Sequence, residues 1–294
     1  MSCPDCIRGS VLDGTPSGTV KQVDGIDAYF VSGVTEPTSK SFSVVLLTDV
    51  FGLEVVNSKL IADRIASALA CDVWAPDLFN GRVVLKNYRS FLHSSILLSG
   101  QPVIKPDSME AQLLPDHPGP WPLWDKLRFY ARVIWNIGSF YRARPSVVTP
   151  RTAKFIKSVR EQNIYDKVGA VGYCFGAGIA VRLVPFKALD SIVLCHPSLL
   201  TEASIKAIDV PTAWACAEED MALSKAMRLN AEAIFAARKD RPDFVPYEFV
   251  DYMGTVHGFA CRPNLAYDGM KAGFEGSLSQ TVVVVSENTG ILIQ

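Results

Sequence analysis

A cysteine with glycines two residues to either side, set between an apolar run and a helix-like run, constrains this chain more than any other feature. The stretch is Val171-Gly172-Tyr173-Cys174-Phe175-Gly176-Ala177-Gly178. A side chain at the apex of a strand-to-helix turn must stand clear of its own backbone, and glycines leave room for that bend. The following helix presents unpaired N–H groups and the positive end of its dipole to the sulfur, which favours thiolate. The pattern is a nucleophile elbow with cysteine at its apex.

The surrounding sequence alternates strand and helix. Ser43–Thr48 is a short apolar run, typical of a strand buried on both faces. Asn57–Ala70 repeats Leu60, Ile61, Ile65, Ala68 and Leu69 at helical spacing, and Asp72–Phe79 reads as a strand stopped by proline. Strand, helix and strand in that order make a βαβ unit, so the expected fold is α/β with a mostly parallel sheet, helices on both faces and a ligand site at the carboxyl ends of the strands. Thr19–Val23 and Ala28–Val31 form an expected edge hairpin. Beyond a helix over Thr149–Gln162, the strands Lys167–Gly172, Ser191–Cys195, Val210–Ala217 and Pro246–Tyr252 follow, with a helix over Met221–Ala237.

One domain over 1–294 is expected, with a coil arm at 1–17 and a helical and loop insert at about 80–148. Six prolines fall between Ser99 and Pro122, and part of 83–122 is a candidate lid. The apolar stripe Leu127, Tyr130, Ala131, Ile134 and Trp135 predicts a core-facing helix.

A formal net charge of -1 provides no basic face for nucleic acid or anionic membrane, so a small-molecule substrate is the expected partner. No apolar run approaches the ~18 residues of a membrane span and no signal-peptide core is present, which predicts a cytoplasmic enzyme. Seven cysteines, an odd number, suit reduced thiols better than a disulfide framework. Cys3 and Cys6 are spaced like a redox or zinc half-site, but no second pair accompanies them; a solvated N-terminus is the simpler reading.

A thiol nucleophile requires a base to hold its proton, and the base requires an orienting carboxylate. The chain supplies Cys174, Asp220 and His257 in that order, each beyond an apolar strand, as the α/β-hydrolase architecture demands. Alone, each residue has an ordinary reading: small hydrophobe, cap and structural histidine. Asp220 is preferred over Glu218 and Glu219 because it directly precedes the helical run. His196 is expected to be structural, and His93 and His117 to lie in solvated loop. The oxyanion donors are expected to be the N–H groups of Phe175 and, in the loop after the early strand, Val50. Asp49 in that loop is either a cap or a group controlling the thiol's proton.

These residues resemble the dienelactone hydrolase family, in particular its fungal-type members. The resemblance rests on Thr48–Leu53, Ala75–Gly81, Gly172–Ala177, Cys195-His196-Pro197 and His257-Gly258-Phe259, with Gly14–Thr19 similar as well. It implies an α/β-hydrolase fold with no metal or organic cofactor, and a Cys174–Asp220–His257 triad that opens a lactone or ester through a thioester. Bacterial members carry glutamate where Asp49 stands, and two arginines where Gly81 and Cys261 stand; Arg82 and Arg262 follow one residue later. Asp49, Phe51, Arg82, Arg262 and Tyr173 are therefore the expected substrate-binding set, suited to an anionic substrate.

Family members end in an amphipathic helix, whereas Thr281-Val282-Val283-Val284-Val285 is poor helix material. The last 14 residues are expected to pack as a strand, mediate a homodimer or be disordered. The expected activity is hydrolysis of a small lactone, enol-lactone or ester. Isomerisation or cyclisation in specialised metabolism by the same Cys/His pocket is the alternative, and a pocket kept only for binding is a third reading.

Overall fold

The computed structural model describes residues 11–33, 42–79, 114–135 and 137–289. Among the described residues, eight strands form one sheet in the order β1-β2-β4-β3-β5-β6-β7-β8. They are β1 (Thr19–Val23), β2 (Ile26–Ser32), β3 (Phe42–Leu47), β4 (Asp72–Pro76), β5 (Lys167–Tyr173), β6 (Ser191–Cys195), β7 (Thr212–Glu219) and β8 (Tyr247–Val256). The β1–β2 hairpin pairs antiparallel and meets β4 antiparallel, while β4, β3, β5, β6, β7 and β8 run parallel. After β4 the chain crosses to the other side of β3 to form β5. The carboxyl ends of β3 and β5 thus border the crevice where the winding reverses.

The helices are α1 (Val56–Leu69), α2 (Leu123–Trp135), α3 (Ile137–Arg142), α4 (Pro145–Asn163), α5 (Phe175–Leu183), α6 (Glu202–Lys206), α7 (Lys225–Ala236) and α8 (Asp268–Thr289). Alternation along β3 divides the core in two. Val45 and Leu47 pack with Phe155, Ile156, Ile179 and Phe235 of α4, α5 and α7; Val44 and Leu46 pack with Ile61, Ile65, Phe274 and Val285 of α1 and α8. Both faces are therefore covered, which explains why the strands read as continuous apolar runs.

Two expectations are overturned. Thr281–Val285 is neither strand nor irregular but helical, inside α8, which runs to Thr289; residues 290–294 lie outside the described residues. Val285 is fully buried and reaches the Cβ-less surface of Gly169 on β5. Helix propensity disfavours valine by at most about 0.7 kcal/mol, whereas burying its side chain contributes about 1.5–3 kcal/mol, so packing wins. The stripe expected to face the core is instead exposed, with Leu127, Tyr130 and Ile134 all open to solvent. Helix α2 lies beside α3 and turns Phe129 inward. Periodicity identified the helix but not its buried side.

Residues 11–18 are irregular, as expected of the arm, and are fastened by Leu12 N–H donating to Asn57 Oδ1 (2.8 Å) and Ser17 N–H to Asp63 Oδ2 (2.8 Å). Cys3, Cys6, Arg82, His93 and the lid candidate up to residue 113 lie outside the described residues. The described end of that candidate is tied to loops at the carboxyl side of the sheet. Asn264 Nδ2 donates to Asp116 Oδ2 (3.0 Å), His117 stacks on Tyr267 (4.7 Å between rings), and Gly119 N–H donates to Glu219 Oε2 (3.0 Å).

Candidate active site

Cys174 directly follows β5 and caps the N-terminus of α5 with φ 51° and ψ −109°. A residue with a Cβ tolerates that region only when its surroundings enforce it. The glycines make enforcement possible. A Cβ on Gly172 would lie 2.5 Å from the Ala177 backbone, and one on Gly176 would lie 2.1 Å from the Leu47 carbonyl oxygen. Strand β5, helix α5 and strand β3 therefore close around the elbow, leaving Cys174 only partly buried.

Asp220 and His257 are the first residues beyond β7 and β8, whose pairing shifts register after Ala217–Tyr252 and ends at the Glu219–Val256 pair. Their side chains consequently meet at adjacent strand ends. His257 Nδ1 lies 2.8 Å from Asp220 Oδ1, and its Nε2 lies 3.0 Å from Cys174 Sγ. Asp220 Oδ1 also accepts the N–H groups of Ala222 (2.7 Å) and Leu223 (2.9 Å). Glu218 and Glu219 are engaged elsewhere, with Gly254 N–H and Gly119 N–H, so the acidic run contributes only Asp220 to the histidine.

Burial opposes charge on His257, but the Cys174 sulfur and the Asp220 carboxylate outweigh it and push its pKa up to about 10. Burial likewise opposes charge on Asp220, while His257 and the two amides hold its carboxyl below the usual range. The arrangement favours an imidazolium on His257, with the Asp220 carboxylate behind it. The other described thiols, Cys71, Cys195, Cys216 and Cys261, are buried, and burial pushes all four upward.

In the loop after β3, Asp49 folds back on its own turn: Phe51 N–H donates to its carboxylate (3.0 Å) and Gly52 N–H to its carbonyl (3.2 Å). Val50 is the remaining amide of that turn. Phe175 opens α5, so its N–H has no acceptor within the helix. Both expected oxyanion donors thus belong to segments bordering the elbow.

The expected substrate-binding residues separate. Arg262 Nε donates to Asp49 Oδ2 (2.9 Å), and its guanidinium lies 4.1 Å from the centre of the Phe51 ring. Phe51 is buried, so it supports Arg262 rather than presenting a free face. Tyr173 requires correction. It is 3% exposed, because alternation along β5 turns it into the core under α1 and α8, where its ring packs on His196 at 6.1 Å.

Two neighbours of the site were not among the expected site residues. His196, at φ 37° and fully buried, sets its ring 5.0 Å from that of His257 at 69°. Burial, with His257 beside it, lowers its pKa well below the ordinary value, so it stays neutral. Its structural reading fits this packing. Ser198 lies two residues further on, with Oγ 3.7 Å from Cys174 Sγ; only the rule that residues past a parallel strand face the crevice pointed there. Among the described residues, no group of three or more His, Cys, Asp or Glu side chains is arranged to hold a metal ion, and no helix is long and apolar enough to cross a membrane.

Comparison with known proteins agrees with this architecture. The model of the dienelactone hydrolase family matches residues 26–282. Hydrolase pyvD of Aspergillus violaceofuscus is 29% identical, covering 94% of this chain and 93% of its own length. Hydrolase tropI of Talaromyces stipitatus is 27% identical, covering 96% and 94%. Among solved structures, a dienelactone hydrolase-like promiscuous phosphotriesterase from metagenomic libraries superposes with a TM-score of 0.53 at 18% identity, covering 89% of this chain and 92% of that one. That likeness concerns the α/β fold alone. With the family model spanning most of the sequence, the chain belongs to the dienelactone hydrolase family and is a carboxylic ester hydrolase.

Proposed function

We propose that the protein hydrolyses a small lactone, enol-lactone or ester with Cys174 as nucleophile, through a thioester intermediate. The observation that carries this reading is the imidazole of His257, 3.0 Å from Cys174 Sγ on one side and 2.8 Å from Asp220 on the other. In the first half-reaction the thiolate attacks the carbonyl carbon, and the carbonyl electron pair moves to an oxyanion facing the N–H groups of Phe175 and Val50. The tetrahedral species collapses by expelling the alkoxide or enolate, which takes the Nε2 proton of His257; in a lactone this group remains tethered. In the second half-reaction neutral His257 takes a proton from water, the hydroxide adds to the thioester, and the C–S electron pair returns to Cys174. Arg262, held between Asp49 and Phe51, is the described cation of the expected substrate-binding set and suits an anionic substrate.

Iodoacetamide is expected to label Cys174 before the buried thiols, and Cys174→Ala to abolish turnover of aryl esters and lactones. Full activity in that variant overturns the mechanism. Turnover in ¹⁸O-labelled water is expected to place label in a product carboxylate; product of unchanged mass would indicate isomerisation or cyclisation instead.

A further inference from the structure

The sulfur of Cys174 has a second polar neighbour besides the triad. Ser198 Oγ lies 3.7 Å away, longer than the 3.0 Å to His257 but within reach of the larger sulfur atom. Its placement is fixed by the backbone. Ser198 N–H donates to the Cys174 carbonyl (3.1 Å), so the two residues are joined through main chain as well as side chain. The Ser198 carbonyl in turn lies against α5, where a Cβ on Gly178 would stand 2.4 Å from it. Positive φ at His196 (37°) and Leu199 (59°) bends this loop back toward the elbow. Ser198 is partly exposed.

A hydroxyl both donates and accepts. Toward a thiol it accepts S–H; toward a thiolate it donates O–H, and that charge-assisted bond is the stronger of the two. We infer that Ser198 is a further catalytic residue, whose hydroxyl donates a hydrogen bond to the Cys174 thiolate in the resting enzyme and again as the thiolate departs from the thioester. No proton is transferred by Ser198. In the second collapse the C–S bond breaks, its electron pair goes to sulfur, and the Ser198 O–H bond stays intact while it solvates the new anion. His257 is at that moment protonated by the attacking water, so the sulfur regains both donors together. The inference rests on Cys174 as the nucleophile.

The titratable and charged groups around the sulfur are His257 with Asp220 behind it and His196 beside it, Arg262 paired to Asp49, and the buried Cys261. Replacing Ser198 alters none of them, so its contribution is separable. The test is the pH dependence of Cys174 alkylation by iodoacetamide, with thiolate absorbance in the ultraviolet as a second readout, in wild type, Ser198→Ala and Ser198→Thr. In Ser198→Ala the midpoint is expected to rise by about half a pH unit or more, with alkylation slowed about three- to tenfold on the acid limb and little changed on the alkaline plateau. Ser198→Thr, which keeps the hydroxyl, is expected to restore the wild-type profile. An unshifted profile in Ser198→Ala, an equal loss at every pH, or a threonine variant that behaves like alanine each overturns the inference. Wild-type turnover by Cys174→Ala would overturn the nucleophile assignment instead; the alkylation profiles report on the serine contact whichever way that experiment falls.

Discussion

Asp220 is attached to the backbone as firmly as to the histidine. One carboxylate oxygen accepts from His257 and from the amides of Ala222 and Leu223, so the group that orients the imidazole is itself oriented by the start of the next loop. Asp220→Asn keeps the shape and can still accept from those amides, but it removes the charge that favours imidazolium. The expected result is a drop in kcat/KM of about 10²-fold or more, with little change in melting temperature. The alkaline limb of the pH–rate profile should also move down from near 10, because the carboxylate is one of the groups that raise His257. A variant that retains wild-type kcat/KM and an unmoved limb would remove Asp220 from the mechanism. At this scale the sequence was informative about which side chains meet, Cys174, His257 and Asp220, since order and strand-end position are one-dimensional facts. Ser198 and the Asp49–Arg262 pair were not legible in the same way, because the contacts close across loops that only the sheet brings together.

Elements differ in how much of their placement the sequence reveals. Strands buried on both faces declared themselves as continuous apolar runs; β7 extends beyond its run to Glu219 because pairing continues after burial ends, while β8 is half-exposed over most of its length and becomes buried only at Thr255 and Val256. Helix α8 defied its composition. Its valine run is held by what lies beneath it, so the cost of substitution should depend on face rather than on residue type. Val285 is fully buried and Val283 is 43% exposed. Val285→Ala is expected to cost about 1–3 kcal/mol through lost burial and a residual cavity, while Val283→Ala should be neutral or slightly stabilising, since alanine is the better helix former. Equal losses at the two positions in urea denaturation would mean that propensity, not packing, sets the stability of this helix. Helix α2 presents the reverse case, with apolar residues at helical spacing, Leu127, Tyr130 and Ile134, pointing outward. An amphipathic pattern states that a helix has two faces; the neighbours decide which face is covered.

Across the whole molecule, the site couples the chemistry of the sheet's carboxyl edge to folding. His257 joins the segment after β8 to those after β5 and β7, and its pKa is raised from 6.5 to about 10. A group raised on folding binds its proton more tightly in the native state, so its stabilisation is complete below pH 6.5 and disappears as pH rises through about 10. Asp220 has the opposite sign: its lowered pKa contributes stability above the ordinary carboxylate range, lost as pH falls through its folded value. The Asp220–His257 pair should therefore be most stabilising in the interval between these limits, with its alkaline loss beginning near neutrality. Urea midpoints measured from pH 6 to pH 10 are expected to fall in the wild type and to follow a flatter course in His257→Ala, which is already less stable at pH 6 because Asp220 loses its partner. Identical slopes in the two proteins would place the titrating group elsewhere. A steeper slope in the variant would mean that the imidazolium does not hold these three strand ends together.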